Sequence, residues 1–173
     1  MIRIRPYKRC DQAALLSWLK EERTVALWKA DRFSWPLTEA QLEAYGRDFS
    51  READKAAFTA LNEAGVPVGH FSFRQIDWEM GTAHLGFIVT DPAVRGTGCG
   101  RRMVRLALAC AFDLLGLSRV TLGVYDCNQA ARRCYEAEGF VPADRPGFET
   151  VFHGETWRYF YLQADRPGCK SGS

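Results

Sequence analysis

The stretch that decides the fold is LGFIVTDPAVRGTGCGRRMVR, residues 85–105. Its apolar first part ends at Asp91-Pro92, and a glycine-rich turn at residues 95–100 runs directly into a helical pattern. The first N–H groups of a helix have no partner within the helix, and the helix dipole adds positive potential at the same end. The glycines of the turn allow positive φ and leave room for a ligand beside the backbone. The stretch therefore predicts a strand, an anion-binding turn and a helix.

Three arginines in the opening turns of this helix strengthen the prediction of an anion site. Arg101, Arg102 and Arg105 lie where the helix dipole disfavours cations. A bound anion would offset that unfavourable interaction.

Length and composition indicate one globular domain. The chain has 173 residues, of which 47% are hydrophobic and 13% aromatic, and this content supplies a substantial core. We assign residues 1–164 to a single domain and residues 165–173 to a loose tail. The net charge of +2 argues against a nucleic-acid-binding face. With no apolar signal core and no apolar run of spanning length, we expect a cytoplasmic protein that binds neither nucleic acid nor membrane.

Cysteines and histidines form no metal-binding pattern. The six cysteines never fall at C-x-x-C spacing, and the three histidines are far apart in sequence. We therefore expect no metal site. Because the chain is long enough for an apolar core and shows no export signal, we expect free thiols rather than disulfides.

The N-terminal part predicts a strand and two helices. Alternating isoleucines and arginines predict a strand at residues 2–5, and Asp11 is expected to cap the helix that follows. Thr38 and Gln41 form a capping box, which predicts a second helix beginning near Thr38.

The segment at residues 23–37 has no clear period, and we expect a long loop. Its aromatic residues are Trp28, Phe33 and Trp35. They either pack beneath the loop or line a substrate mouth, since long loops in compact domains are often binding loops. The sequence leaves both alternatives open.

Strands dominate the next section. Residues 58–61 and 66–76 predict a hairpin, and residues 82–90 predict a further strand. Alternation in this last strand places Ala83, Leu85, Phe87 and Val89 on one face. Gly86, on the other face, marks either close approach by a ligand or a β-bulge.

After the glycine-rich turn, the pattern predicts a helix, a strand and another helix. The first helix runs to about Leu115, and residues 119–125 predict a buried strand parallel to the one before the turn, so the fold class is α/β. Asn128 is expected to cap the second helix. Tyr135 then lies on the same helix face as Asn128, about 10 Å away along the axis. Residues 148–162 predict a final hairpin.

Two segments resemble a known family. Residues 95–100, RGTGCG, match the R/Q-x-x-G-x-G/A loop of the GNAT superfamily of acyl-CoA-dependent N-acetyltransferases. Residues 128–140, NQAARRCYEAEGF, resemble that family's N-x-x-A-x-x-x-Y-x-x-x-G-F segment. The resemblance implies an α/β fold (α+β by some schemes) with a central mixed, mostly antiparallel sheet, splayed at the acetyl-CoA site and flanked by helices. It also implies acetyl transfer from acetyl-CoA to a primary amine of a small molecule or a protein N-terminus, and it is compatible with a homodimer.

The resemblance also implies roles for individual residues. The backbone of the glycine-rich turn would hold the CoA pyrophosphate, the strand around residues 87–89 would pair with the pantetheine arm, and Asn128 would contact the cofactor. Tyr135 would protonate the departing thiolate. The implied cofactor-binding residues are Phe87, Ile88, Val89, Arg95, Gly96, Thr97, Gly98, Cys99, Gly100, Arg101 and Asn128.

One position departs from the family's pattern. Many members have Glu where this chain has His84. Imidazole titrates near neutral pH and can relay a proton through water, so His84 is a candidate general base. A substrate hydrogen bond, a structural role for His84, and water as the base remain open. A non-catalytic acyl-CoA sensor on the same fold is the competing functional hypothesis.

Overall fold

A mixed sheet of eight strands organises the chain in a computed structural model, which describes residues 1–28 and 32–168. The strands are β1 (Arg3–Pro6), β2 (Ala56–Leu61), β3 (Pro67–Asp77), β4 (Thr82–Thr90), β5 (Arg119–Tyr125), β6 (Val141–Pro142), β7 (Phe148–Phe152) and β8 (Glu155–Asp165). Their order is β1-β2-β3-β4-β5-β8-β6, and β7 pairs with β8. The β4–β5 pair is parallel and the other described pairs are antiparallel. The expected mixed, mostly antiparallel sheet is confirmed.

Helices cover both faces of this sheet. They are α1 (Gln12–Trp18), α2 (Glu22–Trp28), α3 (Glu39–Arg51), α4 (Cys99–Ala109) and α5 (Gln129–Ala137). One hydrophobic core lies between the sheet and α4–α5, and a second lies between the sheet and α1–α3. Alternation along β2 separates the two, since Ala60 belongs to the first core and Ala57 to the second.

The capping and hairpin predictions are confirmed. Thr38 accepts a hydrogen bond from the backbone N–H of Gln41 at 3.3 Å, and α3 begins at the next residue. The hairpins β2–β3 and β7–β8 both form. Asn128 caps α5 by accepting a hydrogen bond from the backbone N–H of Ala131 at 3.3 Å.

The expected long loop at residues 23–37 is wrong in its first part, which belongs to α2. This helix has only about two turns, too few for an apolar period to stand out in sequence. The rings of Trp28 and Phe33 stack with centroids 4.7 Å apart in the second core, whereas Trp35 is 42% exposed. Residues 29–31 of this segment lie outside the described residues.

The carboxylate of Asp11 does not cap α1, although Asp11 directly precedes that helix. It accepts two hydrogen bonds from the Arg5 guanidinium, each at 2.7 Å, and one from the Thr59 hydroxyl at 2.7 Å. A buried carboxylate is strongly destabilising unless it is paired. The ion pair with Arg5 therefore takes the place of the predicted helix cap.

A β-bulge in β4 interrupts its alternation. Gly86 pairs with Ser72 and Val89 pairs with His70, so β4 has two residues where β3 has one. Phe87 lies in this bulge with φ of 50°. One extra residue in a strand moves all later side chains of that strand to the opposite face of the sheet.

The bulge sends the two halves of β4 into different cores. Ala83 and Leu85 pack in the first core, whereas Phe87 and Val89 pack in the second. The prediction that these four side chains share one face is wrong. Of the two alternatives for Gly86, the bulge is confirmed.

The parallel pair of strands opens soon after it forms. β4 and β5 pair only from Thr82 to His84, opposite Arg119 to Thr121. Beyond these residues β4 stays paired with β3, and β5 stays paired with β8. The facing edges of β4 and β5 therefore separate. The expected splay is confirmed, and it leaves an opening in the middle of the sheet.

The C-terminal strand extends slightly further than predicted. β8 ends at Asp165, one residue into the expected tail. The backbone N–H of Arg166 still donates to the carbonyl of Ser118 at 2.8 Å. Residues 169–173 of the expected tail lie outside the described residues.

Candidate active site

His84 lies at the point where the sheet opens. Its Cα partner is Thr121, the last paired residue of β5 on this side, and its Nδ1 is 3.2 Å from the Thr121 hydroxyl oxygen. That hydroxyl donates to the carbonyl of Ala83 at 3.4 Å. The hydroxyl is therefore available to Nδ1 as an acceptor, which favours the tautomer with the proton on Nδ1 and a free lone pair on Nε2.

Two adjoining cavities meet at His84. The smaller one, of about 60 Å³, lies in the opening between β4 and β5, and the larger one has a volume of about 360 Å³. They share four lining residues, Arg74, His84, Tyr125 and Tyr159. The two cavities are therefore direct neighbours.

Helix α5 brings Asn128 and Tyr135 to the smaller cavity, which both residues line. The Tyr135 side chain is buried, and its hydroxyl has no hydrogen-bond partner among the described residues. Burial raises the pKa of Tyr135 above its ordinary value. The phenol therefore keeps its proton at neutral pH and can donate it.

The electrostatic surroundings of His84 keep its imidazole neutral. Burial, with the positive charges of Arg74 and Arg145, lowers the pKa of His84 to about 4. The neutral ring can accept a proton. It holds that proton weakly, since the same charges destabilise the imidazolium.

The glycine-rich turn adopts the conformation that its residues predict. Gly96 and Gly98 have φ of 77° and 79°, and α4 begins at Cys99. The backbone N–H groups of residues 96 and 98–101 have no acceptor in the described part of the chain. Free donors at a helix N-terminus form an anion-binding site. The turn follows the C-terminal end of β4, so it lies at the outer end of the opening.

The comparison with known families agrees with this geometry. The model of the acetyltransferase (GNAT) domain matches residues 2–141. The chain belongs to the GNAT acetyltransferase family.

Curated relatives of this GNAT chain match it over about half of its length. A mycothiol acetyltransferase from Salinispora tropica is 36% identical over 92 residues, which are 51% of this chain and 30% of that protein. A mycothiol acetyltransferase from Thermobispora bispora is 35% identical over 94 residues, 51% of this chain and 31% of that protein. The matched stretch thus spans less than a third of the curated relatives.

Solved structures share the fold of this GNAT chain from end to end. A spermidine N-acetyltransferase from Vibrio cholerae in complex with CoA and spermine has a TM-score of 0.82 and 19% identity, with 95% of both chains covered. A dodecameric structure of the V. cholerae enzyme has a TM-score of 0.76, with 95% of this chain and 93% of that chain covered. At this identity the likeness shows the fold alone. Within the described residues of the present chain, every helix is too short or too polar to cross a membrane.

The arginines around the GNAT turn divide into two groups. Arg101 and Arg105 both form ion pairs with Glu138 beyond the end of α5, so the Arg101 side chain is already engaged. Arg95 and Arg102 are exposed and have no carboxylate partner among the described residues. Arg102 therefore has a freer side chain for a phosphate than the predicted Arg101, whose backbone N–H remains free. The signal for Arg102 was its spacing, one helical turn after Gly98.

The three predicted residues of β4 are placed differently from one another. Phe87 and Ile88 line the smaller cavity, and Val89 does not. The Phe87 ring packs against Trp28 and Phe33 in the second core. Its side chain therefore supports the wall, and any polar contact from Phe87 comes from its backbone.

Sequence reasoning missed Arg74 and Tyr159, which line both cavities. Each fills the space that a strand glycine leaves open. An ideal Cβ on Gly86 would lie 3.0 Å from the Arg74 guanidinium, and one on Gly123 would lie 1.9 Å from the Tyr159 hydroxyl oxygen. A glycine within a strand was the available signal for such close approaches.

Proposed function

We propose that this chain transfers an acetyl group from acetyl-CoA to a primary amine of a small molecule or a protein N-terminus by direct attack. One observation carries the proposal: the opening between β4 and β5 has a turn with free N–H donors near one end and the pair His84 and Tyr135 at the other. The distance between the turn and this pair suits an extended thioester. The six residue-to-residue steps from His84 to Thr90 span at most roughly 20 Å of strand.

The donor end would hold acetyl-CoA by its phosphates. The free N–H groups of residues 96 and 98–101 would donate to the pyrophosphate, and Arg95 and Arg102 would add positive charge. The separated edge of β4 around Ile88 offers unpaired backbone groups to the pantetheine amides. These features support acetyl-CoA as the cosubstrate.

The transfer itself needs one new bond and one broken bond. The nitrogen of the neutral amine attacks the thioester carbonyl carbon and forms a tetrahedral intermediate, and its N–H proton passes to a base. The C–S bond then breaks, and the thiolate takes the proton of the Tyr135 hydroxyl. Ordinary phenol and thiol pKa values are about 10 and about 8.5, and burial raises the pKa of Tyr135 further. This proton transfer is therefore unfavourable unless the geometry is fixed and water is excluded. Solvent returns a proton to Tyr135 after CoA leaves.

His84 is the proposed acceptor of the amine proton. Its Nε2 lone pair is free when the proton is on Nδ1, and the residue lines both cavities. A base with a pKa of about 4 holds a proton only briefly. We therefore propose that His84 relays the proton to water rather than storing it.

A screen of amines with acetyl-CoA tests the proposed transfer. We expect thiol release that depends on the amine, together with a product heavier by one acetyl group. Calorimetry with acetyl-CoA is the parallel measurement. Tight binding without turnover on any amine would instead favour the acyl-CoA sensor, and absence of binding would exclude both functions.

A further inference from the structure

The larger cavity beside His84 is lined by cations. Arg32, Lys55, Arg74 and Arg145 contribute to its wall, and among the described residues that line it there is no Asp or Glu. Aromatic rings, including that of Phe148, form much of the remaining wall. Cations that share a cavity repel one another unless anions are present.

Two of these cations have carboxylate partners outside the cavity wall. Arg32 pairs with Asp48 of α3, and Lys55 pairs with Glu52 at 2.5 Å. Their charges are therefore largely compensated. The other two cations differ in this respect.

Arg74 and Arg145 have no carboxylate within 4.0 Å among the described residues. The Arg74 guanidinium lies 4.6 Å from the ring centroid of Phe87, and that of Arg145 lies 4.0 Å from the centroid of Tyr161. The Nε atom of Arg74 is buried and has no hydrogen-bond acceptor in the part of the chain that is described. A buried donor without an acceptor is destabilising, and an anion in the cavity would supply that acceptor.

We propose that the acetyl acceptor is a primary amine that also carries an anionic group, a carboxylate or a phosphate, bound by Arg74 and Arg145. This inference rests on the acetyl transfer proposed above. Both anions present oxygen pairs that match the planar fork of a guanidinium. The neighbouring rings of Phe148 and Tyr161 would contact an apolar portion of the same molecule.

The position of Arg74 limits the distance between the anion and the amine. Arg74 packs against Gly86 of β4, where the sheet opens, and it lines both cavities. The attacking nitrogen must reach the smaller cavity, which Tyr135 lines. Only a few bonds can therefore separate the two groups, as in an amino acid or a short aminoalkyl phosphate.

A polyamine suits this wall poorly, because each of its ammonium groups would meet like charges. The spermidine N-acetyltransferases of V. cholerae share the fold at 19% identity. A likeness at this identity shows the fold and not the acceptor. We therefore infer the acceptor from the residues of the cavity. In this chain those residues favour an anion.

Matched acceptors test the proposal in the full chain with saturating acetyl-CoA. The pairs are L-phenylalanine with its carboxamide, and 2-aminoethyl phosphate with ethanolamine; spermidine is the polycationic probe. Hydrogen bonds to a charged group are worth roughly a tenfold to hundredfold change in an equilibrium or rate constant. We expect the anionic member of at least one pair to exceed its neutral partner in kcat/KM by that factor. Whichever pair shows the preference identifies carboxylate or phosphate as the anion.

Two arginine variants make the test specific. Arg145 is exposed, so Arg145→Gln should fold, which a melting curve verifies. It should reduce the preference for the anionic member about tenfold. Arg3→Gln is the control, since it removes another exposed arginine from β1, at the edge of the sheet away from β8. The preference should stay unchanged in this control.

Calorimetry on the CoA-saturated protein separates failure of this inference from failure of the proposed transfer. The probes are N-acetyl-L-phenylalanine and acetylaminoethyl phosphate, each with its neutral counterpart. If no amine is acetylated, tighter binding of an anionic probe that Arg145→Gln weakens about tenfold supports the anion site, although the transfer fails. Undetectable or equal binding in that case overturns the anion site as well. If amines are acetylated, equal kcat/KM within both pairs, or a higher value for spermidine, overturns the anionic acceptor and leaves the transfer in place.

Discussion

The glycine-rich turn and the larger cavity are both electropositive, but their charge comes from different groups. The turn uses backbone N–H groups from one short segment, residues 96–101. The cavity uses side-chain cations from distant parts of the chain, chiefly Arg74 and Arg145. Backbone donors persist when side chains change, whereas each side-chain cation is lost by a single substitution.

This difference implies that the proposed donor and acceptor ends of the site can change independently within one fold. Substitutions in the cavity wall can alter the preferred amine while the turn keeps its conformation. Damage to the turn should therefore affect CoA affinity, and damage to the cavity should affect acceptor use.

Tyr135→Phe should have the largest effect, a slower acetyl transfer, and it should disturb neither the donor end nor the acceptor end. The substitution removes one hydroxyl and almost no apolar area, so CoA affinity and acceptor KM should persist. General acid catalysis contributes roughly a hundredfold to ten-thousandfold, and we expect single-turnover acetyl transfer to slow by a factor in that range. Steady-state rates alone are insufficient, since slow CoA release would mask the defect.

The leaving group provides the control for Tyr135→Phe. A donor with a more acidic thiol needs less protonation, so wild type and variant should converge on that donor. Equal single-turnover rates on acetyl-CoA itself would show that Tyr135 only packs.

His84 lines both cavities, so it lies between the donor and acceptor ends. His84→Asn tests whether its ring is neutral there, and the measurement is the pH dependence of stability. The pKa of His84 is about 4 in the folded protein and 6.5 ordinarily, so between these values the unfolded chain binds more protons. The contribution of His84 to stability is therefore fully present above about pH 6.5 and falls as the pH decreases toward 4. The shift corresponds to about 3 kcal/mol in total. We expect the free energy of unfolding, measured with denaturant, to fall less between pH 7.5 and pH 4.5 in His84→Asn than in wild type.

Part of the acid sensitivity should remain in that variant. Burial also lowers the pKa of His70, to about 3, so His70 contributes a loss of the same sign. If the free energy of unfolding decreased equally in His84→Asn and wild type, His84 would titrate as an ordinary exposed histidine. The prediction that the His84 imidazole is neutral in the folded protein would then be wrong.

Gly98→Val should break the donor end alone. Gly98 has φ of 79°, and a β-branched residue in this region costs of order 1–3 kcal/mol. The turn should relax, its N–H groups should lose their common direction, and the Kd for acetyl-CoA should rise roughly tenfold or more. Calorimetry measures this change directly.

Gly116→Val is the matched control for Gly98→Val. Gly116 has a similar φ of 70° and open space around it, but it lies beyond the C-terminal end of α4, after a π-helical turn at Cys110–Leu114. Its variant should lose stability and keep its affinity for acetyl-CoA. If both variants bind acetyl-CoA as tightly as wild type, the turn is not the phosphate site.

Arg102→Gln should have the smallest effect and should show how far side chains assist the backbone at the turn. Exposed charge pairs are worth about 0.2–1 kcal/mol, so the Kd for acetyl-CoA should rise only a few-fold. Arg101→Gln should leave it nearly unchanged, because that guanidinium pairs with Glu138. A much larger loss in Arg102→Gln would mean that the donor end also depends on side-chain charge.

The donor end could be predicted from sequence because its determinants are local. Gly96 and Gly98 set the turn by their own conformational freedom, and Thr38 and Asn128 set helix starts through bonds to residues three positions away. Such effects require no knowledge of the tertiary structure. The roles of these residues in binding CoA stay predictions.

The acceptor end could not be predicted, because it depends on contacts between distant segments. A glycine at position 123 indicates that some group comes close, but the sequence does not show that the group is Tyr159. The same limit applies to Phe87, whose positive φ depends on the register that β3 imposes on β4. The choice of Arg5 as the partner of Asp11 likewise depends on tertiary burial.

Because β4 changes face at Phe87, a single strand belongs to both hydrophobic cores. Neither core can lose its packing without removing β4 from the other. The two halves of the molecule should therefore melt together, in one cooperative transition whose calorimetric and van't Hoff enthalpies agree. A cavity made at Leu85 and a cavity made at Val89 would then lower the same melting temperature, although the two side chains lie on opposite faces of the sheet.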